Sequence, residues 1–372
     1  MKIRLSSIAY RLFVPIYVIY IIANTYYLKN AFPELYYLKH ISVLVLFIVG
    51  VFALNKIIGK SEIGLLMCFL PVGLPFLFQG KAGVIVGIQY YIFLISTMVV
   101  GKMWLKKITI RRIIVLQLIF LIPALTDYLF NNFNFFYNEY YVRGRLLLGF
   151  FHPKEAGISL LIPALIARWY FLQKNVKRAV LRIYDLLLLI IFYFISSRNA
   201  LFFYINSLLL SFLFRKIGFA RTILILVLLI VFIGVFLINA FSDEINLLLS
   251  NRLDRWITAD ITLFGSGGAM DSQKTDGLAS AYHIDNYYLE YIISNGIVPA
   301  IYFFCLLAAL VFFIGKRIYY GVPINSILIP FLIVCMFDSG MFSSGNLLTL
   351  FVWSYVFAGV FEMNKERMMK AT

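Results

Sequence analysis

Four stretches of the chain bring together side chains that hold protons or grip anions. In YHIDNYYLEY (282–291), His283, Asp285, Asn286 and Glu290 crowd the start of a long apolar run. His283 and Asp285 are proton acceptors of the kind tuned in a half-desolvated basic pocket. Asp285 and Asn286 are equally good helix caps. In YVRGRLLLGFFHPKEAG (141–157), Arg143 and Arg145 present two guanidinium forks that match phosphate bidentately. His152-Pro153 then opens a helix, with Glu155 in the first turn where the dipole favours an acid. An interfacial anchor with a helix cap explains that run as well. In SSRNAL (196–201), Arg198 stands alone in a tight turn between two apolar runs, placed to snorkel or to bind an anion. NRLDRWITADITLFGSGG (251–268) sets Arg252, Asp254 and Arg255 ahead of the turn Gly265-Ser266-Gly267-Gly268, whose backbone N–H groups could meet an anion.

Other chemistries lack their residues. No Gly-Lys-Ser/Thr closes the glycine turn and no strand precedes it, so it is not a nucleotide P-loop. The sequence has no HExxH and no Asp-x-Asp, and its 3 histidines are His40, His152 and His283. That set argues against a dedicated metal site, and no cofactor is expected. Cys68, Cys305 and Cys335 each sit inside an apolar run and read as small core hydrophobes.

The elements that must position these groups are membrane helices. Of 372 residues, 62% are hydrophobic and 13% charged, with a mean hydropathy of +0.91; soluble globular chains do not reach such values. Twelve apolar runs read as spans: 8–28, 41–58, 63–79, 82–101, 109–130, 153–172, 181–196, 199–214, 221–241, 286–314, 322–338 and 345–362. Several are shorter than the usual ~20 residues. With the N-terminus inside, inner segments hold 23 of the 33 Lys and Arg and outer segments 10. The opposite orientation would put KMWLKKITIRR (102–112) and RWYFLQKNVKRAVLR (168–182) outside, against the positive-inside rule. The net charge of +16 is therefore topology rather than a nucleic-acid footprint, and no nucleic-acid partner is expected. Of 17 acids, 13 fall outside or at the outer rim, and the inner ones are Glu62, Asp185, Glu362 and Glu366. The expected fold is all-α: one polytopic membrane domain over 1–372, both ends cytoplasmic, with an outer loop at 131–152 and a large outer loop at 242–285. Pro71, Pro75, Pro123, Pro163 and Pro299 fall inside spans as ordinary kinks.

With these residues in view, the chain resembles the O-antigen and capsular polysaccharide polymerases (Wzy-type), which are related to the O-antigen ligases. RLLLGFFHPKEAG (145–157) is similar to the family's Arg-x-x-Gly-x-Phe-x-x-Pro run, with Arg145 one residue further from Gly149. SSRNA is similar to its Ser-Arg-small turn, NRLDRW…LFGSGG to its Arg…Trp…Phe-Gly-x-Gly run, and DNYYLEYIISNGIV (285–298) to its Asp/His-Asn…Gly segment. Ligases carry His directly before the Asn or its equivalent. Here that place is Asp285, with His283 two residues earlier, which favours polymerase and leaves open which of the two is the base.

The resemblance implies a metal-independent glycosyl transfer between undecaprenyl-diphosphate-linked oligosaccharide repeat units on the outer face of a bacterial plasma membrane. Under it His283, Asp285 and Arg252 are the expected catalytic residues. Arg143, Arg145, His152, Arg198, Arg255 and Asn286 are the expected ligands of diphosphate and sugar. Membrane lipid, a chain-length regulator and a flippase are the expected partners. The alternatives are an O-antigen ligase and a flippase or other carrier of lipid-linked oligosaccharide. Carriers place ionisable groups near the bilayer midplane, whereas here the charges gather at span ends.

Overall fold

The computed structural model describes residues 5–57, 60–103, 109–130, 136–137, 145–232, 261–265, 286–315, 317–337, 341–342 and 346–371. The first half of the chain forms α1 (Leu5–Ala23), α2 (Tyr26–Ala31), α3 (Leu38–Ile57), α4 (Lys60–Leu77), α5 (Gly80–Met103), α6 (Ile110–Phe120), α7 (Ile122–Phe130) and α8 (Pro153–Gln173). The second half forms α9 (Arg178–Ile195), α10 (Arg198–Lys216), α11 (Phe219–Phe232), α12 (Tyr287–Asn295), α13 (Ile297–Ile314), α14 (Asn325–Val334) and α15 (Leu347–Ala371). Two antiparallel pairs are the only sheet pieces among the described residues: β1 (Phe136–Tyr137) with β2 (Arg145–Leu146), and β3 (Ile318–Tyr319) with β4 (Val322–Pro323). Four helical stretches among them are long and apolar enough to cross a membrane: Gly83–Gly101, Ile110–Phe130, Pro153–Gln173 and Ile297–Ile314. Five shorter apolar helices accompany them. The large loop expected at 242–285 lies outside the described residues except for 261–265.

α8 is the central post. Ala156, Gly157, Ala164 and Ala167 are all buried, and such small residues let neighbouring backbones approach closely. Gly157 has Ser197 and Ala200 of α10 where a Cβ would stand. At its far end Trp169 stacks on Tyr355, with centroids 4.3 Å apart, and on Phe351, both in α15. α13 is apolar all round but buries only one side: Phe303 and Leu307 pack inward while Ile301 and Phe312 face out. A face of that kind is stable against lipid, not against water.

α4 carries Pro71 and Pro75, which cannot donate to the carbonyls four residues back. Four tyrosine hydroxyls converge on the carbonyls of this weakened segment. Tyr302 donates to Cys68 O (2.7 Å), Tyr90 to Phe69 O (2.8 Å), Tyr91 to Leu70 O (2.9 Å) and Tyr291 to Val72 O (2.9 Å). Backbone groups without water must find such partners inside the protein.

The run 286–314, expected as one span, is two helices meeting at Gly296. Residues 12 to 16 apart on a straight helix would be separated by about 18–24 Å. Instead the rings of Tyr291 and Phe303 are 4.8 Å apart and those of Tyr287 and Phe303 6.1 Å. The chain therefore folds back, so that α12 reaches into the bundle while α13 crosses it. Gly296 makes the corner with φ +90, a conformation that L side chains rarely adopt.

α14 is short, and α15 starts well inside the bundle. Gly101, near the end of α5, touches Ser354 and Ala358. Phe342, just ahead of α15, meets Tyr90 and Phe93 halfway along α5. The two helices thus run parallel, with the start of α15 level with the middle of α5. Trp353 Nε1 donates to Met341 O (3.0 Å), pinning this irregular segment inside the protein. Non-helical backbone at such a level is stable only where protein or a cavity surrounds it.

Candidate functional site

Lys174, Arg178 and Lys216 mark one end of the α8–α9–α10 triplet, the basic end; His152 and Ser196–Arg198 lie at the opposite end. There the sequence between β2 and α8 is held by a backbone cradle. Gly149 (φ +77) and Leu148 (φ 52) turn the chain, and a Cβ on Gly149 would collide with Pro123 O. Tyr26 N donates to Gly149 O and Phe151 N to Asn24 O, tying the turn to the end of α1. Lys29 Nζ lies 3.5 Å from the centroid of the Phe151 ring, a cation–π contact.

This cradle delivers His152 to the N-terminus of α8. Its Nδ1 accepts from Lys154 N (3.1 Å), which leaves Nε2 as the proton-bearing nitrogen of the neutral ring. The cap reading of His152 is what the geometry shows. β2, which contains Arg145, packs on α9, and Gly157 is pressed against Ser197. The stretches around Arg145, His152 and Arg198 are therefore neighbours. Arg198 is the first residue of α10 and is exposed. Beside it, Ser197 is buried, and its hydroxyl has no hydrogen-bond partner among the described residues.

Asn286 lies deeper. It is buried, and its side-chain oxygen accepts from Tyr288 N (3.1 Å) and Leu289 N (3.2 Å), capping α12. Tyr287 N donates to Cys335 O at the end of α14, and Tyr288 OH donates to Leu332 O. α14 packs along α10, whose first residue is Arg198. Asn286 thus sits inside the bundle beside the end of α14. A second clasp holds the other end of α12. Ile297 N and Val298 N donate to Thr262 O and Leu263 O, and a Cβ on Gly265 or Gly296 would strike the partner's backbone. Gln79 Nε2 donates to Ser294 O (2.6 Å) and Asn295 Oδ1 (2.8 Å).

Arg143, Arg252, Arg255, His283 and Asp285 lie outside the described residues, as does the side chain of Arg145. The described part of the site is His152, Arg198 and Asn286 with their supports. Among the described residues no group of three His, Cys, Asp or Glu side chains could hold a metal.

One polar cluster escaped the sequence reading. Arg168 of α8 donates through Nε to Asp185 Oδ1 (2.9 Å) and through Nη2 to Asp185 Oδ2 (3.3 Å), and Tyr204 OH donates to the same Oδ1 (2.6 Å). Asp185 stands in the middle of α9, not in the connection before it. The available signal was a single acid seven residues into an amphipathic apolar run.

A scan against protein-family models finds no match, and searches of curated proteins and of solved structures find none either. The class defined by fold and site is an α-helical protein whose long apolar helices fit a membrane, with polar groups gathered at one end and in the interior.

Proposed function

We propose that this protein is a polysaccharide polymerase of the Wzy type, joining undecaprenyl-diphosphate-linked repeat units on the outer face of a bacterial plasma membrane. The carrying observation is that the four signature stretches meet in pairs through their own glycines. Gly157 of the first abuts Ser197 of the second, and Gly265 of the third interlocks with Gly296 of the fourth. Within each pair, segments distant in sequence pack closely, which supports reading them as parts of a site.

In this reading the acceptor hydroxyl attacks the anomeric carbon of the growing chain's first sugar. The bond from that carbon to the diphosphate breaks, and its electron pair leaves with undecaprenyl diphosphate. The hydroxyl proton passes to His283 or Asp285. Arg145, Arg198 and Arg252 hold the diphosphate as its charge develops, and fixed donors in a water-poor site are most effective at that moment. The Ser197 hydroxyl beside Arg198 is a further donor. Asn286 holds the start of α12 at a set place in the bundle. Arg198→Ala and Arg252→Ala should each lower polymer formation in cells by about 10²-fold or more, with single lipid-linked units accumulating outside. Full-length polymer from both variants would refute the assignment.

A carrier of lipid-linked oligosaccharide is the second reading. The interior Arg168–Asp185 pair and the helices that end halfway through the bundle favour it, since carriers use such features. Deletion would then leave lipid-linked units on the inner leaflet.

A further inference from the structure

Towards the basic end, among the described residues, Arg168 has a carboxylate partner and Arg215 does not. Asp185 accepts from Nε and Nη2 of Arg168 and from Tyr204 OH. Arg215 stands in the last turn of α10. Its one hydrogen bond among the described residues goes to Gly321 O, at the tip of the β3–β4 hairpin. A guanidinium has five donors, so a single neutral carbonyl leaves most of them open to an acceptor from outside. Lys216 is next to it, and Arg317 lies at the base of the hairpin that it touches. No carboxylate other than Asp185 hydrogen-bonds a cation at this end among the described residues.

The surface beside Arg215 is apolar. Phe212, one turn back on α10, is 57% exposed and Phe312 of α13 is 62% exposed. Phe214, Phe219 and Phe312 form a continuous ring contact, with centroids 5.8 and 6.0 Å apart, joining α10, α11 and α13. An oxyanion-seeking fork beside the exposed Phe212 ring is an amphiphilic surface, and it fits an amphiphile.

We propose that Arg215 and the exposed Phe212 ring one turn back on the same side of α10 form a seat for one anionic phospholipid, the phosphate on the guanidinium and an acyl chain along the ring. The fork shape favours a phosphodiester held by two N–H groups. The seat is independent of the polymerase reading. It differs from a diffuse positive surface because a single residue governs it.

Native mass spectrometry of the detergent-purified protein with phosphatidylglycerol, phosphatidylcholine or glycerol phosphate tests it. The full chain should retain phosphatidylglycerol over phosphatidylcholine, and Arg215→Ala should weaken that retention about 10-fold, as loss of a charge-assisted contact predicts. Arg178→Ala, on the exposed first turn of α9, should leave it unchanged. Arg215→Lys keeps the charge without the fork and should weaken it in a protein that remains folded by size-exclusion chromatography. Unchanged binding in both Arg215 variants, or equal loss in Arg178→Ala, would overturn the proposal. Competition by glycerol phosphate as strong as by the lipid would overturn it too, by showing a site for soluble phosphate.

Discussion

Single residues here carry weight where the backbone has no alternative. Gly149 is one: it has φ +77 and Pro123 O in the space of a Cβ. Gly149→Ala combines that collision with a left-handed penalty of about 1–2 kcal/mol, so a clear fall in thermal stability in detergent is expected. Asp185 is another. The pair is half-buried, and Asp185→Ala leaves the Arg168 guanidinium and the Tyr204 hydroxyl without their acceptor, so the variant should unfold at a lower temperature. Replacing all three members, as Arg168→Met, Asp185→Leu and Tyr204→Phe, leaves no orphaned group and should restore most of the loss. Thermal unfolding of both variants checks this. Were the triple variant as weak as the single one, packing rather than charge would explain the site. Asn286 and His152 were each legible in sequence at helix starts, because Asn is a preferred cap and because Pro153 and Glu155 mark the first turn after His152. Asp185 was not, because whether an acid faces a neighbour or a loop depends on helix register.

At the scale of elements, the corner at Gly296 decides how the candidate site is built. Residues 282–298 read as a continuous approach to a span, since nothing in an apolar pattern marks a reversal of direction. The corner forms because Gly296 adopts φ +90 and because residues 262–263 supply acceptors for the two amides that follow it. Tyr291 then anchors α12 to the carbonyl of Val72 in the proline-weakened α4. In Gly296→Ala the clasp should open. Hydrogen exchange at the Ile297 and Val298 amides should rise by about tenfold or more, the factor that corresponds to loss of about 1.4 kcal/mol of local stability. Protection equal to wild type would show that the clasp does not depend on the glycine. The expected connection 131–152 proved structured at its α8 side, tied to α1 through Tyr26 and Asn24; only a tertiary partner makes that order.

For the whole molecule, the α8–α9–α10 triplet sorts its charges into a basic end and an opposite end with Arg198 and His152. If the protein lies in the membrane with the basic end inside, single cysteines at the exposed Gln173 and Lys81 should be labelled by an impermeant thiol reagent from opposite sides. The background for this test is the Cys-free variant Cys68→Ser/Cys305→Ser/Cys335→Ala. Labelling of both from one side would remove the orientation on which the outward-facing site depends. The same bundle explains why aromatic content is high: Phe69, Tyr90, Phe303, Phe342 and Trp353 form one interior contact set where helix ends meet. Rings fill irregular space that helix ridges cannot.

Composition and periodicity, by themselves, determined that the chain is helical and suited to lipid, because apolar runs of span length have no other stable state. They also marked Arg198, His152 and Asn286 as polar groups placed at the starts of helices. Tertiary structure alone decided which helices stop halfway, where the chain folds back at Gly296, and that Arg168 meets Asp185. Those outcomes depend on contacts between residues far apart in sequence, and hydropathy, being a sum over neighbours along the chain, contains no term for them.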